Sequence, residues 1–140
     1  MITAVDTNVL LDVFTDDPTF GARSLAVMRA CLTEGPLVAC DVVWAELSAA
    51  FPDPDAASQA LDTIPVAYEP LGRVAAARAG GAWRQYRHAG SPRERVIADF
   101  LVGAHAVERA DRLLTRDRGF HRQASAGLAI VDPASATAGS

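Results

Sequence analysis

The feature that most constrains the fold is the alternation of short apolar runs with longer segments that place apolar residues at helical spacing. Strands that alternate with helices form a parallel sheet covered by helices. The sequence therefore predicts a three-layer α/β/α domain with a central parallel sheet of about four to five short strands. The candidate strands are residues 2–5, 37–40, 66–68, 112–115 and 128–131.

Several polar residues mark where the predicted helices begin. Two Asp-Pro pairs, at residues 17–18 and 53–54, combine an N-cap acceptor with a proline at the first helical position. Asp41 is expected to cap a helix that continues to about Phe51. Residues 91–94, Ser-Pro-Arg-Glu, form a capping box and predict the start of a further helix.

Length and composition fit one soluble domain. The chain has 140 residues, half of them hydrophobic, and no low-complexity linker divides it. We expect a single domain over 1–140, with its core at about 2–131 and a C-terminal tail at 132–140. No apolar stretch reaches the roughly 20 residues that span a bilayer, and no signal-peptide pattern is present. We therefore expect a cytoplasmic protein without membrane association, in which Cys31 and Cys40 are buried thiols.

Charge is distributed unevenly along the chain. Residues 1–69 carry eleven acids and two arginines, whereas residues 70–140 carry six acids and eleven arginines. All 13 basic residues are arginine, whose planar guanidinium suits phosphate. A phosphate-binding second half and a compositional bias of the genome both account for this pattern.

Four acidic residues occupy positions from which their side chains can meet. Asp6 follows the first candidate strand and Asp117 follows the fourth, and the carboxyl ends of parallel strands share one edge of a sheet. Glu46 and Asp99 interrupt apolar helical segments, where a buried carboxylate needs a partner or a metal. Ligation by oxygen alone favours Mg²⁺ or Mn²⁺.

Each of these acids also has an ordinary structural interpretation. Asp6 is a good N-cap for the helix that follows it, and Glu46 fits a solvent-exposed stripe. Asp99 lies four residues after Arg95 and so fits a helical ion pair, while Asp117 fits a turn. Spacing and periodicity leave both sets of interpretations open.

Four segments of the chain resemble the signature blocks of PIN-domain toxins of the VapC type. They have the order and approximate separations of that family, and the similarity extends over residues 2–131. The segments are Val-Asp-Thr-Asn-Val-Leu-Leu at 5–11, Val-Trp-Ala-Glu-Leu at 43–47, Ile-Ala-Asp-Phe-Leu-Val-Gly-Ala-His-Ala at 97–106 and Leu-Leu-Thr-Arg-Asp-Arg-Gly-Phe at 113–120.

The resemblance implies a role for individual residues. Gly119 stands where some PIN domains have a further acid, which puts the ligation of a second metal ion in question. The residues that match the acidic metal site are Asp6, Glu46, Asp99 and Asp117, and those that match its polar supporting positions are Asn8 and Thr115.

The resemblance further implies a Mg²⁺- or Mn²⁺-dependent endoribonuclease that acts as the toxin of a toxin–antitoxin pair. It implies a homodimer, a cognate antitoxin protein and RNA as substrate. Arg116, Arg118 and Arg122 adjoin Asp117 and are expected to attract the RNA backbone. His121 is expected to lie on the surface, with a contact to RNA as the alternative.

Two other functions remain to be weighed. Phosphatases of the α/β class also begin with an aspartate after the first strand, but they need a second aspartate two residues later, where this chain has Asn8. A catalytically inactive PIN-fold module that binds RNA or protein is the other alternative. A broken set of four acids would favour it, and all four acids are present.

Overall fold

A computed structural model of the protein describes residues 1–90, 95–125 and 127–135, apart from the side chains at positions 122 and 123. The strands are β1 (Thr3–Val5), β2 (Leu37–Ala39), β3 (Val66–Tyr68), β4 (Arg112–Leu114) and β5 (Ala129–Val131). The helices are α1 (Thr7–Phe14), α2 (Gly21–Glu34), α3 (Asp41–Ser48), α4 (Pro54–Leu61), α5 (Arg73–His88), α6 (Ile97–Arg109) and α7 (Arg118–Ala124).

The five strands form one sheet in the order β3-β2-β1-β4-β5, and every pair is parallel. Thr3 of β1 pairs with Leu37 on one side and with Arg112 on the other. The chain thus builds outward from β1 to β3 and then returns to place β4 against the free side of β1. This reversal creates a switch point between β1 and β4, where open α/β sheets bind ligands. The predicted α/β fold with a parallel sheet is confirmed.

The core consists of two apolar clusters. The larger one surrounds the sheet, and β1 and β2 are buried along their whole length. Continuous burial explains why the residues of these strands are apolar except for Thr3. The smaller cluster lies between α5, α6 and α7 and includes Phe100 and Phe120. Cys31 and Cys40 are buried free thiols, as predicted, and burial raises the pKa of each.

Two predicted helix starts differ from the structure. α2 begins at Gly21, because the carboxylate of Asp17 accepts hydrogen bonds from the backbone N–H groups of Thr19 and Phe20 and closes a turn before the helix. Asp41 lies inside the first turn of α3, and its carboxylate accepts from the backbone N–H of Leu71 at 3.0 Å. α3 also ends at Ser48, before the predicted limit.

The starts of three further helices compare differently with the sequence predictions. Asp53 caps α4 as predicted, accepting from the backbone N–H of Ala56 at 2.8 Å. α6 begins at Ile97, and the predicted capping box at 91–94 falls outside the described residues. α7 is a short helix that the sequence interpretation had treated as a turn.

Within the described ranges, no helix has the length and apolar character needed to cross a bilayer.

Candidate functional site

Thr115 connects two acids across the switch point. Asp6 follows β1 and Thr115 follows β4, and the Thr115 Oγ1 donates to Asp6 Oδ2 at 2.8 Å. The same hydroxyl accepts from the backbone N–H of Asp117 at 2.9 Å. Because Thr115 is fully buried, these partners fix its hydroxyl. The structure therefore places Asp6 and Asp117 at one edge of the sheet, as their positions after two strands predicted.

Asn8 adds a second connection between the two strand ends. Its Oδ1 accepts from the backbone N–H of Arg116 at 3.1 Å. Its Nδ2 lies 3.4 Å from Thr115 Oγ1 and 3.5 Å from Asp6 Oδ2, at the long limit for a hydrogen bond. Asn8 and Thr115 thus both contact the carboxylate of Asp6.

Asp6 is both the cap of α1 and one of the four acids, Asp6, Glu46, Asp99 and Asp117, that we call the acidic cluster. Its Oδ1 accepts from the backbone N–H of Thr7 at 2.7 Å, and it is the N-cap residue of α1. The capping interpretation was therefore right. It does not compete with a role in the site, because the second carboxylate oxygen faces Thr115.

Glu46 reaches the cluster through Thr7. The Thr7 hydroxyl donates to Glu46 Oε1 at 2.7 Å, although the two residues are 39 positions apart. Glu46 is exposed on α3, as its alternative interpretation predicted, while Thr7 is buried. The sequence analysis missed Thr7, whose only signal was its position between Asp6 and Asn8.

Asp99 and Asp117 have different partners. Asp99 lies in the first turn of α6, where its Oδ2 accepts from the backbone N–H of Val96 at 3.1 Å. Arg95 pairs with Asp117 instead of with Asp99, donating from Nη1 to Oδ2 and from Nη2 to Oδ1 at 3.0 Å. This hydrogen bonding to Asp117 raises the pKa of Arg95. The guanidinium also lies over the ring of Phe120, 4.5 Å from its centroid.

The donor set matches a hard divalent cation in its chemistry. The four acids offer carboxylate oxygens alone, the ligands that Mg²⁺ and Mn²⁺ prefer. However, among the residues with described side chains, no three Asp, Glu, His or Cys residues converge into a group that could hold a metal. Arg95 already neutralises one of the four carboxylates, that of Asp117.

The profile of the PIN domain family matches residues 3–126. The chain belongs to the PIN domain family. The four segments that suggested this family from the sequence all lie within the matched range. No curated protein sequence matches the chain closely enough to count as a relative.

Several solved structures share this fold, and one of them is described as a toxin–antitoxin complex from Klebsiella pneumoniae, with a TM-score of 0.60 at 19% identity and 94% and 97% covered. VapBC2 from Rickettsia felis, bound to a promoter DNA fragment, has a TM-score of 0.73 at 17% identity, covering 94% of this chain and 98% of the matched one. VapBC-1 from nontypeable Haemophilus influenzae has a TM-score of 0.72 at 19% identity, with 96% and 99% covered. FitAcB from Neisseria gonorrhoeae has a TM-score of 0.69 at 21% identity, with 97% and 100% covered. At these identities the likeness concerns the fold.

His121 of this PIN domain is buried against the acidic cluster. Its ring is 1% exposed, and its Nε2 lies 3.5 Å from Asp6 Oδ2. The expectation of a surface histidine was therefore wrong. The helix α7, which the sequence interpretation lacked, turns His121 inward together with Phe120, whose ring centroid is 4.9 Å away.

The arginines beside Asp117 have carboxylate partners of their own. Arg116 donates to both oxygens of the buried Asp12 at 2.7 and 3.0 Å, and it lies over the ring of Phe20. Arg118 lies 3.8 Å from Asp132 Oδ2. The third expected RNA-binding residue, Arg122, has its side chain outside the described part of the chain.

Proposed function

We propose that this PIN domain is a Mg²⁺- or Mn²⁺-dependent endoribonuclease and the toxin of a toxin–antitoxin pair. The observation that carries the proposal is the junction at Thr115, which holds Asp6 and the backbone of Asp117 at the switch point of a parallel sheet. Acidic side chains at the carboxyl edge of such a sheet are suited to binding a cation and a phosphate together.

Each residue of the cluster has a defined part in this proposal. Thr115 and Asn8 orient the carboxylate of Asp6, as supporting hydrogen bonds do for metal ligands. Thr7 holds Glu46 toward the same edge. When bound, a divalent cation would activate a water molecule and stabilise charge on the scissile phosphate. The residues that would hold it are Asp6, Asp99, Asp117 and Glu46.

Arg95 has two successive roles in the proposal. In the metal-free protein it is the counter-charge of Asp117. If a cation were held by Asp117 in its place, the guanidinium would remain beside the site and could donate two parallel hydrogen bonds to two oxygens of a phosphate. Phe120 keeps it nearby through the contact with its ring.

The toxin part of the proposal is supported by the structural neighbours. VapBC from Salmonella typhimurium was solved with DNA, and FitAB was solved with an IR36 DNA fragment. By analogy, we propose that this chain acts in the cytoplasm as a homodimer and binds a cognate antitoxin protein. This analogy rests on the fold, and the acidic cluster is the feature of the site that supports a nuclease.

The test compares RNA cleavage by wild type, Asp6→Asn and Asp99→Asn in Mn²⁺, with calorimetry of Mn²⁺ binding on the same samples. Each variant should lose more than about a hundredfold in rate, because even the residues that support a metal ligand contribute about 10- to 100-fold. Asp62→Asn, which changes an exposed side chain at the end of α4, is the matched control and should cleave normally. Retained cleavage in either site variant contradicts the proposal. RNA binding by wild type without Mn²⁺ binding or cleavage would instead favour the inactive module.

A further inference from the structure

The last turns of α5 carry an exposed group of two arginines and a histidine. Arg84, Arg87 and His88 are exposed there, and α5 contains no Asp or Glu. In the ranges that the structure describes, no carboxylate lies within ion-pair distance of Arg84 or Arg87. By contrast, carboxylate partners are present for Arg78, Arg95, Arg109, Arg112, Arg116 and Arg118.

These residues share a groove with an aromatic side chain. Trp83 is partly exposed, and the guanidinium of Arg87 lies 5.9 Å from the centroid of its ring. Trp83, Arg84, Arg87 and His88, which we call the α5 platform, line a groove of about 510 Å³ together with Gly80. An aromatic ring among arginines that have no carboxylate partner in the described part of the chain matches the composition of surfaces that bind single-stranded nucleic acid.

The α5 platform lies at the same end of the molecule as the acidic cluster. Arg78 pairs with Glu108, whereas Trp83 contacts Phe100 with ring centroids 5.4 Å apart, so α5 and α6 run antiparallel. The last turns of α5 therefore lie beside the first turn of α6, which carries Asp99.

A continuous set of ring contacts joins the platform to the site. Phe100 packs on Phe120 with centroids 5.0 Å apart. Phe120 in turn contacts Arg95, the partner of Asp117, and His121, which adjoins Asp6. Two phenylalanine rings thus connect Trp83 with Arg95 and His121, which contact acids of the cluster. An RNA strand that has one phosphate at the acidic cluster can therefore reach the α5 platform within a few nucleotides.

We propose that the α5 platform binds the single-stranded RNA segment next to the cleaved bond, with Arg84 and Arg87 on phosphates and a base against Trp83. This inference rests on the proposed function, because it names a further part of the substrate-binding surface. It also assigns the phosphate contacts to different arginines from those that adjoin Asp117. The guanidinium of Arg116 forms an ion pair with Asp12. Among the described residues, no carboxylate pairs with Arg84 or Arg87, so their charges are available to a polyanion.

The test measures RNA binding without cleavage. Fluorescence anisotropy of a labelled single-stranded RNA of roughly 12 nucleotides, in EDTA and at several salt concentrations, compares wild type with an Arg84→Ala/Arg87→Ala double variant. The matched control is Arg23→Ala/Arg29→Ala, which removes the same charge from exposed positions on α2. We expect the platform variant to lose about tenfold in affinity and its salt slope to fall by about 1.4, at roughly 0.7 for each lost phosphate contact. The control should bind like wild type.

A second measurement reports on Trp83 directly. In a Trp44→Phe background Trp83 is the remaining tryptophan, and a stacked base should quench its fluorescence on RNA binding. This readout does not require truncation of Trp83, which packs on Phe100 and whose loss would weaken the fold. Absence of quenching in a variant that binds RNA overturns the base contact with Trp83.

The outcomes separate this inference from the proposed function. If wild type cleaves RNA in Mn²⁺ while the platform and control variants bind RNA equally well, the platform is overturned and the nuclease stands. If wild type cleaves nothing but the platform variant alone loses RNA binding, the nuclease fails, and the platform stands as an RNA-binding surface without its relation to a cleaved bond. If the platform variant keeps RNA binding but loses affinity for polyglutamate, the surface recognises acidic protein, which also overturns the inference.

Discussion

Arg95 and Asp117 form a two-pronged ion pair at the edge of the acidic cluster, and Phe120 supports the guanidinium from one side. The pair places a tethered positive charge on one of the carboxylates that we propose as metal ligands. Arg95 and a divalent cation must therefore compete for Asp117.

Arg95→Ala is expected to bind Mn²⁺ more tightly than wild type. Both side chains are partly exposed, and such pairs contribute up to about 1 kcal/mol, so the affinity should rise about two- to fivefold. Titration calorimetry measures this directly. Arg109→Ala, which removes an exposed arginine paired with Glu69, provides the control. An affinity that is unchanged or lower in Arg95→Ala would show that Arg95 does not occupy the metal position.

Arg116→Ala should weaken the fold much more than Arg118→Ala does. Removing Arg116 leaves the buried carboxylate of Asp12 with the hydroxyl of Ser24 as its hydrogen-bond donor, and we expect a loss of about 2–4 kcal/mol in the free energy of unfolding. Arg118 is half-exposed and 3.8 Å from Asp132, so its loss should cost less than about 1 kcal/mol. Urea denaturation of the two variants gives the comparison, and equal losses would contradict it.

Two glycines in neighbouring helices should respond oppositely to alanine. A Cβ on Gly103 would lie 2.6 Å from Ser125 Oγ and 3.1 Å from His121 Nδ1. Ser125 can rotate, but the buried ring of His121 must shift, so Gly103→Ala should lose about 1–3 kcal/mol. A Cβ on Gly81 meets nothing within 4 Å. Gly81→Ala should therefore gain about 0.5–1 kcal/mol through helix propensity. Thermal and urea unfolding of both variants test the pair, and destabilisation by Gly81→Ala would be the unexpected result.

His105 should make the fold sensitive to mild acid. It is buried on α6, and burial lowers its pKa below the ordinary value of 6.5. The unfolded chain then takes up a proton more readily than the folded one, so stability is full above about pH 6.5 and declines as the pH falls toward the lower folded pKa.

His105→Leu removes this titration and approximately conserves side-chain volume. Between about pH 7.5 and pH 5.5, wild type should lose more free energy of unfolding than the variant does. Urea denaturation at both pH values measures the difference. Parallel losses in the two proteins would assign the acid sensitivity to other groups.

The positions of the strands and their parallel arrangement were predictable, because apolar runs mark the strands and their alternation with helices favours a parallel sheet. The residues of β1 and β2 are buried, and apart from Thr3 they are all apolar. Asp6 and Asp117 could be assigned to one edge because parallel strands end together. The start of α2 could not be assigned, since Asp17 serves equally well as a helix cap and as the first residue of a turn.

The partners of the acids could not be read from the sequence. Arg95 lies 22 positions from Asp117 and four from Asp99, so helical spacing favoured the pair that does not form. The contact between Thr7 and Glu46 depends on how α1 packs against α3. His121 faces Asp6 because α7 replaces the expected turn. Such contacts follow from packing, which periodicity does not encode.

The pairing of β1 with β4 also has a consequence for synthesis. Asp6 and Thr115 are 109 residues apart, and the hydrogen bond between them requires β4 to have docked beside β1. During translation, the chain emerges from its N-terminus at about 5–20 residues per second. A nascent chain therefore lacks the complete proposed site until β4 has left the exit tunnel, so the proposed nuclease would become active only when most of the domain has been made.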